Sequence, residues 1–193
     1  MPDATVKIEG ARFIITMDPE RRIISGGSVV VRGQNIIQIG KAEELAGVQA
    51  DRVIDARDMV VTPGFVNGHM HISYAHATRG IFPDDLGSAY LPNVFKLQAI
   101  MTEEEEYHTS LLAITELLKY GTTTFVDPGS TKYLDRCMDA YKQTGCRIIT
   151  GVHVTDKPNP LNLPVSSPAD AIKSVETTIE KFDRKLDGRV RAW

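Results

Sequence analysis

The hydrophobic positions of the chain change their spacing near residue 63. Before that point, short apolar runs alternate with turns rich in glycine and charged residues. Runs this short and closely spaced are typical of β-strands joined by turns, and they leave no room for the helices of βαβ units. The sequence therefore predicts a small antiparallel sheet over residues 1–62. The predicted strand segments are Arg12–Met17, Ser28–Val31, Ile36–Ile39 and Val53–Ile54.

From residue 63 onwards, strand-like and helix-like segments alternate. This order is typical of a parallel sheet flanked by helices. A long loop is predicted between residue 72 and Thr102. The predicted strands are Phe65–Ile72, Thr122–Val126, Arg147–Val154 and a last one beginning at Arg189. The predicted helices begin at Thr102, Tyr133 and Ser167-Pro168, and the last of them reaches Leu186.

The first of these helices has the clearest local signals. Thr102 is followed three residues later by Glu105, which makes a capping-box sequence. Apolar residues then recur at helical spacing from Tyr107 to Leu118. We therefore expect one amphipathic helix that starts at Thr102 and stops before Gly121.

Composition and charge exclude several classes of protein. The 193 residues are 42% hydrophobic and 24% charged, which is typical of a globular chain. The net charge of -3 and the lack of a basic cluster argue against nucleic-acid binding. We expect no membrane span and no secretory signal, because the sequence has neither a long apolar run nor a charged leader. With only Cys137 and Cys146, a cytoplasmic protein without a disulfide framework is expected.

The segment with the clearest chemistry is Asn67-Gly68-His69-Met70-His71, at the end of the first predicted strand of the β/α part. Alternate residues of a strand point to the same face, so His69 and His71 can direct both imidazoles at one point. Two neutral imidazoles suit Zn²⁺ or another borderline divalent metal. A His-x-His pair alone is a weak motif, but this pair ends a strand where barrel active sites form.

Several segments together resemble the amidohydrolase superfamily. A small β-domain followed by an HMH strand is similar to the start of these enzymes, and Arg79-Gly80 follows His69 at the family's spacing. The chain most resembles the cytosine-deaminase-like branch, which includes S-adenosylhomocysteine deaminases, guanine deaminases and triazine hydrolases. The segments that carry the resemblance are VIDARDMVVTPGFVN, PGFVNGHMH, MTEEEEYHTSLLAITELLKYGTTTFVD and GRVRAW.

The resemblance implies an α/β fold in two parts. Residues 1–62 would be the N-terminal part of a small β-sandwich domain. Residues 63–193 would be the first three to four β/α units, or first half, of a (β/α)8 TIM-type barrel. Because a full barrel takes about 250 residues, we expect the chain to be a fragment of the catalytic unit. We expect either that a missing C-terminal half completes the barrel or that the chain forms a homo-oligomer.

The activity that the resemblance implies is metal-dependent hydrolysis of a non-peptide carbon–nitrogen bond in a small molecule, by metal-activated water. Deamination is one version, and hydrolysis of an amide or urea bond is the other. His69 and His71 would be ligands of one divalent metal, with zinc expected and iron or manganese as alternatives. No catalytic residue is expected before Trp193, because the family's remaining ligands lie on later strands. A non-catalytic relative with an assembly role and one part of a split barrel remain as alternatives.

Four further polar residues are candidate substrate contacts. Asp127 and His153 are predicted at the ends of the second and third strands, which face the barrel mouth. His76 and Arg79 lie in the loop after the metal strand. For Asp127 and His153, support of the residues that contact the substrate is an alternative, and a turn or helix-cap role is a further alternative for Asp127. Ordinary loop roles are the alternative for His76 and Arg79. The loop Phe82–Tyr90 contains no Trp, which argues against a purine substrate.

Overall fold

The computed structural model describes residues 4–159, 161 and 163–193. The chain divides after Pro63 into two compact units, Met1–Pro63 and Gly64–Trp193. Residues 1–3, 160 and 162 of the two predicted domains lie outside the described residues. No helix in the described part of the chain is long and apolar enough to cross a membrane.

The first unit contains a five-stranded sheet. Its strands are β1 (Thr5–Ile15), β2 (Ile23–Arg32), β3 (Asn35–Lys41), β4 (Arg52–Asp55) and β5 (Val60–Val61). β2 pairs antiparallel with β1 and β3, whereas β4 and β5 pair with β1 in parallel. The prediction of a purely antiparallel sheet is therefore wrong for β4 and β5. After β3 the chain returns to the start of β1, where Asp51 N donates to Thr5 O (2.9 Å).

The second unit alternates strands and helices, as the sequence predicts. Its strands are β6 (Phe65–Asn67), β7 (Thr122–Val126), β8 (Arg147–Thr150) and β9 (Val190–Ala192). Its helices are α1 (Ala75–Thr78), α2 (Tyr90–Ile100), α3 (Glu103–Lys119), α4 (Leu134–Thr144) and α5 (Pro168–Phe182), with a 3-10 helix at Asp84–Ala89. The four strands pair in parallel in chain order. Their carboxyl ends therefore lie at one edge of the sheet.

One apolar core fixes the sheet of the second unit against its helices. Phe125, Ile148 and Val190 come from β7, β8 and β9, and each is at most 1% exposed. Burial of a side chain of this size stabilises the fold by about 1.5–3 kcal/mol. The helix residues of the same core are Ala113, Ile114, Cys137, Ala140 and Tyr141. The strand ends that follow this core are thereby held in place.

Helix α3 begins as the sequence predicts. Thr102 is its N-cap, and Thr102 Oγ1 accepts a hydrogen bond from Glu105 N (3.3 Å). In return, Thr102 N donates to Glu105 Oε2 (2.8 Å), which completes the capping box. The helix ends at Lys119, and Gly121 has a φ of 83°, a left-handed conformation that glycine adopts without strain.

The segment predicted as a long loop before Thr102 is largely helical, so that prediction is wrong. It contains α1, the 3-10 helix and α2. Pro92 lies in the first turn of α2, where a missing N–H is tolerated because the first amides have no partner within the helix. Val94 of α2 packs with Tyr74 and Met101 in a small apolar cluster. These tertiary contacts stabilise a helix whose local pattern is weak.

Two further elements are shorter than predicted. β8 ends at Thr150 rather than Val154, because its neighbours β7 and β9 also end there and leave later residues without a strand to pair with. Helix α5 ends at Phe182 rather than Leu186. Arg184 and Leu186 have φ values of 59° and 52°, which a continuing helix does not allow.

Candidate metal centre

The two histidines of the motif lie just beyond β6 rather than within it. β6 ends at Asn67, whose side-chain oxygen accepts a hydrogen bond from His69 N (3.1 Å) in a turn that closes the strand. Met70 N still donates to Val126 O at the end of β7 (2.8 Å). The predicted strand, which ran to Ile72, is therefore too long. The hydrogen bond to β7 nevertheless keeps the histidine segment at the carboxyl edge of the sheet.

The imidazole rings of His69 and His71 converge. Their Nε2 atoms are 3.1 Å apart. The ring centroids are 4.8 Å apart, and the ring planes meet at 87°. Met70, between them, packs against the apolar core of the second unit. Alternate side chains thus point to opposite sides even after the last strand residue.

His71 is the more enclosed of the two rings. Tyr74 stacks on it, with centroids 5.2 Å apart and planes at 25°. The pKa of His71 is lowered, and burial is the largest cause. Nearby His69 and His153 also lower the pKa of His71, whereas Asp127 raises it. The neutral imidazole, which is the form that binds a metal, is therefore favoured.

Asp127 lies directly after β7 and is fully buried. Its Oδ1 accepts hydrogen bonds from Gly129 N (3.1 Å), Ser130 N (3.0 Å) and Ser130 Oγ (2.8 Å). Its Oδ2 accepts a hydrogen bond from Thr131 Oγ1 (2.6 Å). These bonds build the turn between β7 and α4, so they favour the turn role. A substrate contact by Asp127 stays a prediction.

His76 and Arg79 both contact Glu116 of α3. His76 Nε2 lies 2.8 Å from Glu116 Oε2, and Arg79 donates to both oxygens of that carboxylate at 3.0 Å. The His76 side chain is only 3% exposed. Hydrogen bonding from Arg79 is the largest cause that lowers the pKa of Glu116. The trio links α1 and the following turn to α3, and a substrate contact by either basic residue stays a prediction.

His153 lies beyond β8 and lines a cavity of about 420 Å³ within the second unit. Phe95 and Gln98 of α2 also line it, and sequence reasoning missed both because their helix was predicted as a loop. The Phe95 ring is 5.5 Å from Tyr74, the residue that stacks on His71. The cavity therefore lies one aromatic ring away from the histidine pair.

The histidine pair falls short of a full catalytic zinc site, which has three protein ligands and an open position. Among the side chains that the structure describes, no three of His, Cys, Asp or Glu lie together so that they could hold a metal ion. Asp127 and His153 act on the pKa of His71 without joining it in such a group.

A parallel β/α unit with convergent imidazoles after its first strand is an arrangement of the amidohydrolase type. The model of the amidohydrolase family matches residues 60–193, more than half of the chain. The chain belongs to the amidohydrolase family. The resemblance inferred from the sequence is thereby confirmed.

Individual relatives refine this comparison. The chain is 30% identical over 172 residues to the 5-methylthioadenosine/S-adenosylhomocysteine deaminase of Syntrophobacter fumaroxidans, a match covering 88% of this chain and 38% of the relative. It is 37% identical over 137 residues to the 5'-deoxyadenosine deaminase of Methanosarcina barkeri, covering 70% of this chain and 30% of the relative. A solved adenosine deaminase from Xanthomonas campestris, with bound zinc, matches at a TM-score of 0.77 and 22% identity, covering 100% of this chain and 43% of that one. The chain thus spans less than half the length of each.

Proposed function

We propose that the chain carries the first two metal ligands, His69 and His71, of a metal-dependent hydrolase that uses zinc. The observation that carries this proposal is the 3.1 Å distance between their Nε2 atoms. Two ligand nitrogens at about 2.0–2.1 Å from a tetrahedral zinc ion are about 3.3 Å apart. Only a slight displacement of the rings would let them share one ion.

The character of the donors supports the same proposal. Burial lowers the pKa of His71, so its ring stays neutral, and Tyr74 restrains that ring by stacking. The Nδ1 atom of His71 is buried and has no hydrogen-bond partner among the described residues, which leaves Nε2 as the atom through which it interacts. A direct hydrogen bond between two neutral imidazoles is the competing explanation of the short distance.

When bound, the metal would supply Lewis acidity, which activates water for attack on a carbon that bears a nitrogen leaving group. His69 and His71 would hold the ion, and the stacked Tyr74 would shield one face of His71 from solvent. Burial raises the pKa of Tyr74 to about 12, so its hydroxyl stays protonated at neutral pH. We assign the remaining ligands and the acid–base group to a part of the protein outside these 193 residues.

The finer fold is also a proposal. We assign residues 1–62 to the N-terminal part of a β-sandwich domain and residues 63–193 to the first three to four β/α units of a TIM-type barrel. Four parallel strands in chain order support this assignment, as does coverage of 43% of the zinc-containing adenosine deaminase. Such a half-barrel needs completion by a further segment or another chain, because parallel sheets are buried on both faces.

We propose a small-molecule substrate with an amino group on a heterocycle, so that the reaction is a deamination. The names of two relatives, both deaminases of adenosine derivatives, support this class. This choice reverses the expectation against a purine, which rested on the absence of Trp in the loop Phe82–Tyr90. Tyr74, which stacks on His71, and Phe95, which lies beside Tyr74, supply aromatic rings instead. A cytoplasmic location is proposed because both cysteines are free thiols.

Zinc titration of the 193-residue chain, combined with its mass in solution, tests the proposal. We expect one zinc per chain or completed complex, and a loss of at least about tenfold in affinity for His69→Ala and for His71→Ala. His108→Ala is the matched control, because its side chain is 64% exposed on α3. Absence of zinc binding at any mass would favour the non-catalytic alternative. Zinc binding that both substitutions leave unchanged would refute the site.

A further inference from the structure

The cavity next to the histidine pair is built by three parts of the second unit. Helix α2 supplies Phe95 and Gln98, the turn after β7 supplies Ser130, and the segment after β8 supplies His153 and Leu163. Its volume is about 420 Å³, which is within the range for a small organic ligand of roughly 300–1,000 Å³. Aromatic, aliphatic and polar groups thus line one cavity.

Hydrogen bonds connect the wall of this cavity to the histidine segment. Ser130 O accepts a hydrogen bond from Gln98 Nε2 (2.5 Å) and another from Ser73 Oγ (3.2 Å). Ser73 lies two residues after His71 and is fully buried. Together with the contact between Tyr74 and Phe95, these bonds hold the cavity at a fixed distance from the imidazoles. We infer that a substrate bound at the histidine pair extends an arm into this cavity.

The charges of the cavity wall are few and already engaged. No Asp or Glu occurs among the described residues that line it. Its lysine, Lys132, donates from Nζ to Ala99 O (3.0 Å) and Met101 O (3.5 Å), at the carboxyl end of α2. The same ammonium lies 4.6 Å from the ring of Tyr133. The positive charge of Lys132 is thus directed at backbone oxygens and an aromatic face rather than at the cavity.

We propose that this cavity selects a substrate with an uncharged arm, such as a short alkyl or thioether group, over one with a zwitterionic amino-acid arm. The inference rests on the proposed function and narrows its substrate class. An ammonium or carboxylate group that leaves water must find an opposite charge. The described wall contains no Asp or Glu, and the ammonium of its Lys132 already has backbone partners. A thioether or alkyl arm gains from contact with Phe95 and Leu163 and needs no counter-charge.

Calorimetric titration of the zinc-loaded 193-residue chain with two probes tests this selection. 5'-Methylthioadenosine and S-adenosylhomocysteine share the adenosine part and differ in the arm. We expect 5'-methylthioadenosine to bind at least about tenfold more tightly. Leu163→Ala should weaken its binding by about fivefold, because the side chain contacts the arm. Leu112→Ala, on an exposed part of α3, should leave it unchanged.

Zinc content, measured on the same samples, distinguishes a failure of the proposed metal site from a failure of the proposed selection by the cavity. If zinc is bound but S-adenosylhomocysteine binds as tightly as 5'-methylthioadenosine, or if neither probe binds, the selection by the cavity is wrong and the metal site stands. Equal effects of Leu163→Ala and Leu112→Ala on probe binding would overturn the selection in the same way. If the unsubstituted chain takes up no zinc, the proposed function fails, and the inference about its substrate fails with it.

Discussion

Replacing Asp127 with alanine distinguishes the two roles that the sequence leaves open for this residue. As a turn residue, its carboxylate organises the connection between β7 and α4 through four hydrogen bonds. As a substrate contact alone, its removal would leave the folded state almost unchanged. The free energy of unfolding of Asp127→Ala is therefore the decisive quantity.

The magnitude follows from the donors that the substitution leaves behind. Gly129 N and Ser130 N lose their acceptor in a buried turn, as do the hydroxyls of Ser130 and Thr131. A buried backbone donor without a partner costs about 1–3 kcal/mol, and the hydroxyls can rotate to other acceptors, so we expect Asp127→Ala to destabilise by about 3 kcal/mol. Asp127→Asn keeps an oxygen for the three bonds at Oδ1 and should cost only about 1 kcal/mol.

Urea unfolding followed by tryptophan fluorescence measures both values. The chain has one tryptophan, Trp193, so the signal reports on the second unit, which contains Asp127. Trp193 N donates to Thr150 O (3.1 Å), which anchors the probe to the end of β8. A loss below about 1 kcal/mol for Asp127→Ala, or equal losses for the alanine and asparagine variants, would refute the turn role.

Two further predictions concern titratable groups in the same unit. The pKa of Glu116 is lowered from its ordinary value of 4.5 chiefly by Arg79, so its stabilising contribution is complete above that pH and is lost as the pH falls through the lowered pKa. The test measures the urea midpoint of unfolding as the pH is lowered from above 4.5 through the lowered pKa. The midpoint should fall less steeply with pH for Glu116→Gln than for the exposed control Glu103→Gln. Equal dependence of the two midpoints on pH would contradict the prediction. Burial raises the pKa of Cys137 to about 12 and also raises that of Cys146, so both thiols should react with a disulfide reagent roughly a hundredfold more slowly in the folded chain than in urea. Rapid reaction in native buffer would contradict their burial.

Features with short-range causes could be predicted from the sequence. The capping box at Thr102 joins residues three positions apart, and the stop at Gly121 depends on that residue's own φ of 83°. The convergence of His69 and His71 has the same local origin, because two side chains separated by one residue keep their common direction after β6 ends. Each feature needs only neighbouring residues, so its signal is present in the sequence.

Helix α2 shows why other features could not be predicted. Its sequence carries a proline at Pro92 and lacks a regular apolar face, so the local pattern favours a loop. In the folded chain, Gln98 donates to Ser130 O and Phe95 packs near Tyr74, across sequence separations that no local pattern encodes. The cavity that depends on this helix could therefore not be predicted from local sequence patterns.

The basic residues after the metal motif, His76 and Arg79, are also held by a contact that the local sequence does not show. His76 and Arg79 lie close to His71 in sequence, which made substrate contact a reasonable expectation. Their partner Glu116 comes 40 residues after His76 and 37 residues after Arg79. Nothing near Glu116 in the sequence marks it as their acceptor. Because a buried imidazole is costly without a hydrogen bond, the hydrogen bonds to Glu116 of α3 explain these side chains without any ligand. A substrate role for either residue must therefore be demonstrated against a structural requirement that already accounts for its position.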